Sequence, residues 1–169
     1  MNTSTSDPKS ALIEYPLGVH FVNPEIEELY KGQDSSIDGL SSGFDLRVPK
    51  DIVFTFEQPW QLVNFGIIIR PPTGFHTLLI PRSSLYKNHR VIQTNSIGLV
   101  DQNYVGPKDV LLMPLLWHPC EPSYESPKII KKGERIAQII LQPVFLIKRV
   151  PYDLSGVESR GGHGSTGKV

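Results

Sequence analysis

Turn residues cut this chain at short intervals, and that spacing limits what it can fold into. PPTG (71–74), GPKD (106–109) and KKGE (131–134) interrupt NFGIIIR, FHTLLI, DVLLMPLLW and RIAQIILQPVFLIKR, runs rich in β-branched and apolar residues. Proline presets φ and glycine supplies positive φ, so such clusters reverse an extended chain. In DIVFTFEQ, Ile52, Phe54 and Phe56 alternate with Val53, Thr55 and Glu57, the two-residue period of a strand. No run is long enough to serve as a crossover helix between parallel strands, which argues against α/β architectures. Short strands with spaced turns predict an all-β sandwich, jelly roll or barrel. One helix is predicted, in NPEIEELYKG: Asn23 caps, Pro24 suits the first helical position, and Gly32 stops the element after two turns. Ile26, Leu29 and Tyr30 share its face.

At 169 residues the chain fits one domain. A chain of this size buries about 70% of the surface its unfolded form exposes, enough for a core. Acidic and basic residues balance at 17 each, which argues against a polyanion-binding surface and hence against nucleic acid as a partner. The single cysteine, Cys120, forms no intrachain disulfide and suits a reducing compartment such as the cytoplasm. No apolar stretch approaches the ~20 residues of a membrane helix, so no membrane association is expected. The opening MNTSTSDPKS is polar and reads as a flexible N-terminus over 1–10. SRGGHGSTGKV at the other end has four glycines and no large aliphatic residue before Val169, so it adds little core and is expected to be mobile.

Five stretches carry polar chemistry: SSGFDLRV (41–48), PRSSLYK (81–87), NSIGLVDQNYVG (95–106), KGERIAQIIL (132–141) and the glycine-rich tail. Singly, each has an ordinary reading. Asp45 is a strand-edge carboxylate, PRSSL a turn whose serines bond the backbone, GERIAQ a turn entering a strand, and Asp101 a turn residue. Together they supply what phosphate chemistry on a nucleotide needs. Arg82, Arg135 and Arg160 offer planar guanidinium donors to phosphate oxygens. Ser83, Ser84, Ser165 and Thr166 offer hydroxyls, and the glycines let backbone N–H groups approach an anion closely. Asn95 both donates and accepts, as reading a pyrimidine edge requires. Tyr104 offers an aromatic face to a sugar or base. Asp101 is then the natural general base for a water.

In this order the five stretches resemble the five motifs of the trimeric dUTPase family: SGFDL motif one, PRSSL motif two, NSIGLVDQNYVG motif three, GERIAQ motif four and RGGHGSTG motif five. The resemblance implies a distorted jelly roll with one short helix over residues 11–155, a glycine-rich lid over 156–169, and a homotrimer whose sites lie between subunits, the tail of one closing a neighbour's site. It implies hydrolysis of dUTP to dUMP and pyrophosphate, which limits uracil in DNA and supplies dUMP. Asp101 would activate the water, Asn95 and Gly98 would bind on the uracil side, and Tyr104 would pack under the deoxyribose and exclude a 2′-hydroxyl. Arg82, Ser83, Ser84 and Gln138 would line the phosphate channel, with Asp45 and Arg135 in support. The implied cofactor is Mg²⁺, held by the triphosphate and water rather than by a protein cage.

Motif five departs from the family pattern. His163 stands where the family has a phenylalanine over the uracil, and Arg160 lies two residues closer to the glycine run. Imidazole is smaller and ionises, so the lid is expected to be weaker, pH-sensitive or complemented by another residue. Two other functions are compatible with the scaffold. A dCTP deaminase shares the fold, but its glutamate after motif three has no counterpart in DVLLMPLLW. A non-catalytic binder acting through a partner would have no need of Asp101. A zinc deaminase would require more than His118-Pro119-Cys120.

Overall fold

A computed structural model describes residues 13, 15–33, 42–119 and 127–159. Their elements run β1 (Gly18–Phe21), α1 (Pro24–Leu29), β2 (Phe44–Arg47), β3 (Ile52–Phe54), β4 (Trp60–Asn64), β5 (Ile67–Arg70), β6 (Phe75–Pro81), α2 (Ser84–His89), β7 (Val91–Gln93), β8 (Gly98–Val100), β9 (Leu112–Trp117), β10 (Lys128–Ile130) and β11 (Arg135–Pro143). Every strand pairing is antiparallel. The sheets are ordered β2-β11-β6-β8, β4-β9-β7, β1-β5 and β10-β3. The chain is mostly β, as the turn spacing predicts.

Alternation decides what is inside. Met113, Leu115 and Trp117 of β9 face inward, as do Ile52 and Phe54 of β3, and they join Leu46, Phe65, Ile67, Leu79 and Ile136 in one apolar cluster. In α1 the Asn23 side chain accepts from the Ile26 N–H at 3.0 Å, which satisfies one of the helix's orphan donors. Ile26 and Tyr30 are buried. Gly66, at φ +66°, is the one place where a side chain cannot be accommodated beneath α1, because a Cβ there would collide with Ile26. The Tyr30 ring stacks on Phe44 at 5.7 Å, and its hydroxyl accepts from the Arg47 N–H at 2.7 Å. Burial pushes the Tyr30 pKa up to about 12. Gln33 completes the brace, donating to the Asp45 carbonyl at 2.9 Å and accepting from Arg47 Nε at 3.2 Å. Helix α1 thus fixes β2, the strand that carries Asp45.

Five details differ from the sequence reading. Helix α1 stops at Leu29, and Gly32 (φ +77°) lies in the turn beyond it. The PRSSL segment enters a second short helix, α2, rather than a simple turn; Ser83 sits at its cap without making a side-chain cap hydrogen bond. Strand β3 ends at Phe54, so Phe56 is exposed and packs on the Trp117 ring at 5.2 Å instead of pointing into the core. Strand β11 ends at Pro143, and Phe145, Leu146 and Ile147 beyond it are more than four-fifths exposed. Finally, NSIGLVDQNYVG, read above as a polar stretch with Asp101 in a turn, contains strand β8 and a crossing between sheets. Strand β7 pairs with β9 and β8 with β6, so the Thr94–Ile97 turn, with Ser96 at φ +59°, passes the chain from one sheet to another.

Candidate active site

The first cluster forms across the β2-β11-β6 sheet. Asp45 lies opposite Gln138, and Gln138 lies opposite Ile80, so these side chains share a face. Arg82, two residues past Ile80, continues that face. Strict alternation would send Arg135 to the other side of the sheet from Gln138. The register of β11 against β2 shifts between Arg135 and Ala137, and this irregularity turns Arg135 back toward Asp45. The result is a carboxylate between two guanidinium groups: Arg82 Nε is 3.1 Å from Oδ1, and Arg135 Nη1 is 3.0 Å from Oδ2. Asp45 is buried, while both arginines keep nearly a third of their side chains exposed. Two cations and one anion leave the cluster net positive toward solvent, suited to an incoming anion. A cavity of about 320 Å³ beside it is lined by Arg82, Ser83, Leu85, Tyr86, Gln93 and Ser96, among others. Gln138 lies close over Gly43, where a Cβ would fall 2.5 Å from its Oε1.

The second cluster lies around β8. Asn95, Gly98, Asp101, Asn103 and Tyr104 line a cavity of about 280 Å³ whose floor is Leu79, Val100 and Leu111. Val100 is buried, and the chain then turns outward, the Tyr104 N–H donating to the Asp101 carbonyl at 3.0 Å. That turn leaves the Asp101 carboxylate exposed and without a hydrogen bond or ion pair among the described residues. Tyr104 is held from its far end, its hydroxyl donating to the Val110 carbonyl at 3.2 Å. Asp109 closes the loop by accepting from the Gly106 N–H at 2.7 Å. A free carboxylate beside a fixed ring and an amide can hold a water against a bound nucleoside.

Of the predicted residues, Asp45, Arg82, Arg135, Gln138 and Ser83 gather in the first cluster, and Asn95, Gly98, Asp101 and Tyr104 in the second; Ser84 opens α2 and lines neither cavity. These two cavities share no lining residue. Arg160, His163, Ser165 and Thr166 lie outside the described residues. Sequence reasoning missed Gln93, which lines the first cavity and reaches Asn95 of the second. Its signal was available: Val91 faces in and Ile92 out, so position 93 calls for an apolar side chain.

The folded scaffold and its two polar clusters define a nucleotide-directed β protein, and comparison with known proteins says which. The dUTPase family profile matches residues 38–167. The SPbeta prophage-derived deoxyuridine 5'-triphosphate nucleotidohydrolase YosS of Bacillus subtilis is 38% identical over 124 residues, covering 73% of this chain and 82% of that protein. In fold, the chain is similar to the dUTPase of Staphylococcus bacteriophage 80alpha solved with dUPNHPP, with a TM-score of 0.65 at 20% identity over 90% of this chain and 99% of that one. It is also similar to a dUTPase from phage phi11 of S. aureus described with a structural Mg(II) ion, with a TM-score of 0.63 at 14% identity over 86% and 99%. The chain belongs to the dUTPase family.

Proposed function

We propose that this chain hydrolyses dUTP to dUMP and pyrophosphate, with Asp101 as the general base. The observation that carries the assignment of Asp101 is its position: an unengaged carboxylate in the same cavity as Asn95 and Tyr104, in a chain of this family. Asn95 and the backbone at Gly98 bind the uracil edge, and the Tyr104 ring packs against the deoxyribose. Asp101 takes a proton from water as the oxygen attacks the α-phosphorus. The bond from that phosphorus to the bridging oxygen breaks, and pyrophosphate leaves with the electron pair. Arg82, Arg135, Ser83, Ser84 and Gln138 face the phosphates, where fixed donors stabilise the developing charge. Asp45 holds the two guanidinium groups in place.

Mg²⁺ fits as a companion of the triphosphate. Among the described residues no three His, Cys, Asp or Glu side chains converge as a cage, and both Asp45 oxygens are engaged by arginine. A cation that keeps its waters and rides on phosphate oxygens matches this donor set, and it would neutralise charge on the leaving group.

The working unit is a homotrimer. Two observations support this: the phosphate-facing and nucleoside-facing cavities of one chain share no residue, and Phe145, Leu146, Ile147, Val150 and Tyr152 project from the body as an exposed apolar arm. Such an arm calls for a partner surface. Arg160, His163, Ser165 and Thr166 belong to the lid in this reading. The single cysteine and the prophage-derived relative are in keeping with action in the cytoplasm of a host cell.

Asp101→Asn tests the central role. With dUTP and Mg²⁺, pyrophosphate release should fall by about 10²–10⁴-fold while the fold persists, the usual effect of losing a positioned base. Full activity in a correctly folded variant refutes the assignment.

A further inference from the structure

We propose that Gln93 is a specificity-determining residue: it pins the Asn95 carboxamide so that Nδ2 faces the pyrimidine, which selects a ring bearing a carbonyl over one bearing an amino group. The inference rests on the nucleoside reading of the cavity that contains Asn95.

Hydrogen-bond logic sets the direction. Gln93 is buried at the end of β7. Its Nε2 donates to the Leu79 carbonyl at 3.2 Å and to Asn95 Oδ1 at 2.8 Å. A backbone carbonyl only accepts, so the atom of Gln93 facing Leu79 must be its NH₂ group. That same nitrogen faces Asn95, so the Asn95 atom toward it must be the oxygen. No hydrogen bond among the described residues uses Asn95 Nδ2, and Asn95 lines the cavity shared with Asp101 and Tyr104. The amide therefore offers a donor to whatever enters.

The packing keeps it so. Gly98 lies opposite Leu79 in the β6–β8 ladder, and a Cβ there would fall 3.2 Å from Leu79 Cβ and 3.6 Å from Gln93 Nε2. The bare glycine lets β8 lie close over the Gln93 amide. Gln93 Oε1, however, is buried with no partner among the described residues. A half-satisfied buried amide is worse for stability than an apolar side chain of the same shape. The strand pattern also calls for an apolar residue at position 93. Its presence is explained by what its nitrogen does to Asn95.

Uracil and cytosine differ where this matters. Uracil carries an acceptor at C4, and cytosine carries an amino donor. A donor facing a donor leaves both unpaired, and a site built for one hydrogen-bond pattern rejects the other strongly.

The test compares the full chain with Gln93→Met, which keeps the shape and removes the donor, and Gln93→Glu, whose carboxylate would accept from Asn95 Nδ2 and turn the amide round. The measurements are kcat/KM for dUTP and dCTP, Kd for dUMP and dCMP, and the melting temperature. Gln93→Met should melt no lower than the parent, while both uracil-over-cytosine ratios fall by about tenfold or more. Gln93→Glu should lower the ratios further. If Gln93→Met misfolds, the Gln93→Glu ratios decide. Ratios unchanged in a folded variant, or equal losses on both bases, overturn the inference and leave Gln93 a packing residue. A parent that prefers dUMP yet releases no pyrophosphate from dUTP refutes the hydrolysis reading, and the binding ratios still decide the role of Gln93.

Discussion

Asp45→Asn changes charge with almost no change in volume, and it removes the one anion between Arg82 and Arg135. At the observed contacts of 3.1 and 3.0 Å, each pair carries about 5 kcal/mol of Coulomb attraction at an effective dielectric near 20. Desolvation of the carboxylate and screening of the arginines oppose this. Exposed pairs are worth about 0–1 kcal/mol and breaking a buried one costs about 3–5 kcal/mol. Asp45 has a side-chain exposure of 11% against 31% and 30% for its partners, which places this clamp between the two limits. The expected loss is about 2–3 kcal/mol, part of it from two guanidinium groups left facing each other. Urea unfolding at fixed protein concentration measures it. With a slope of about 1–3 kcal/mol/M the midpoint should fall by about 1 M. A second readout separates an electrostatic origin from a packing one. Pyrophosphate should raise the midpoint of the variant more than that of the parent, because an anion can occupy the vacated position. A loss below about 0.5 kcal/mol, with equal anion effects on both proteins, refutes the clamp as the element that organises the phosphate side.

Two further outcomes are expected. Burial pushes the His89 pKa below its usual 6.5, against the pull of Glu134 Oε2 at 3.0 Å from its Nε2. The unfolded chain then binds the extra proton first, so the stability from neutral His89 is complete above about pH 6.5 and is lost as pH falls below it. Urea midpoints at pH 8 and at a pH below 6 should diverge more for the parent than for His89→Gln; equal acid sensitivity in both disproves the linkage. In solution the chain should have the mass of three copies by light scattering, and Ile147→Asp, in the exposed arm, should weaken that assembly. A parent that is monomeric at micromolar concentration sinks the trimer.

Much of the chemistry was legible along the chain, because motif residues are set by reactivity. Asp101, Asn95, Arg82 and Arg135 each have an ordinary reading alone, and it was their combination and order that carried the family. Gln93 was not recognised, since a polar residue in a three-residue strand acquires meaning only through the Leu79 carbonyl and Asn95 oxygen that it touches. Phe56 was misplaced because alternation says which way a residue points only while the strand lasts, and β3 ends at Phe54.

The sequence by itself determined an all-β fold, since frequent turn residues leave no length for a crossover helix, and it marked candidate residues for binding phosphate and activating water. Only the tertiary structure decided which of them meet. The register shift that swings Arg135 onto Asp45, and the departure of β7 and β8 into different sheets, are products of pairing between distant segments. Local sequence does not encode such pairings, because each strand's choice of partner depends on the burial achieved by all the others.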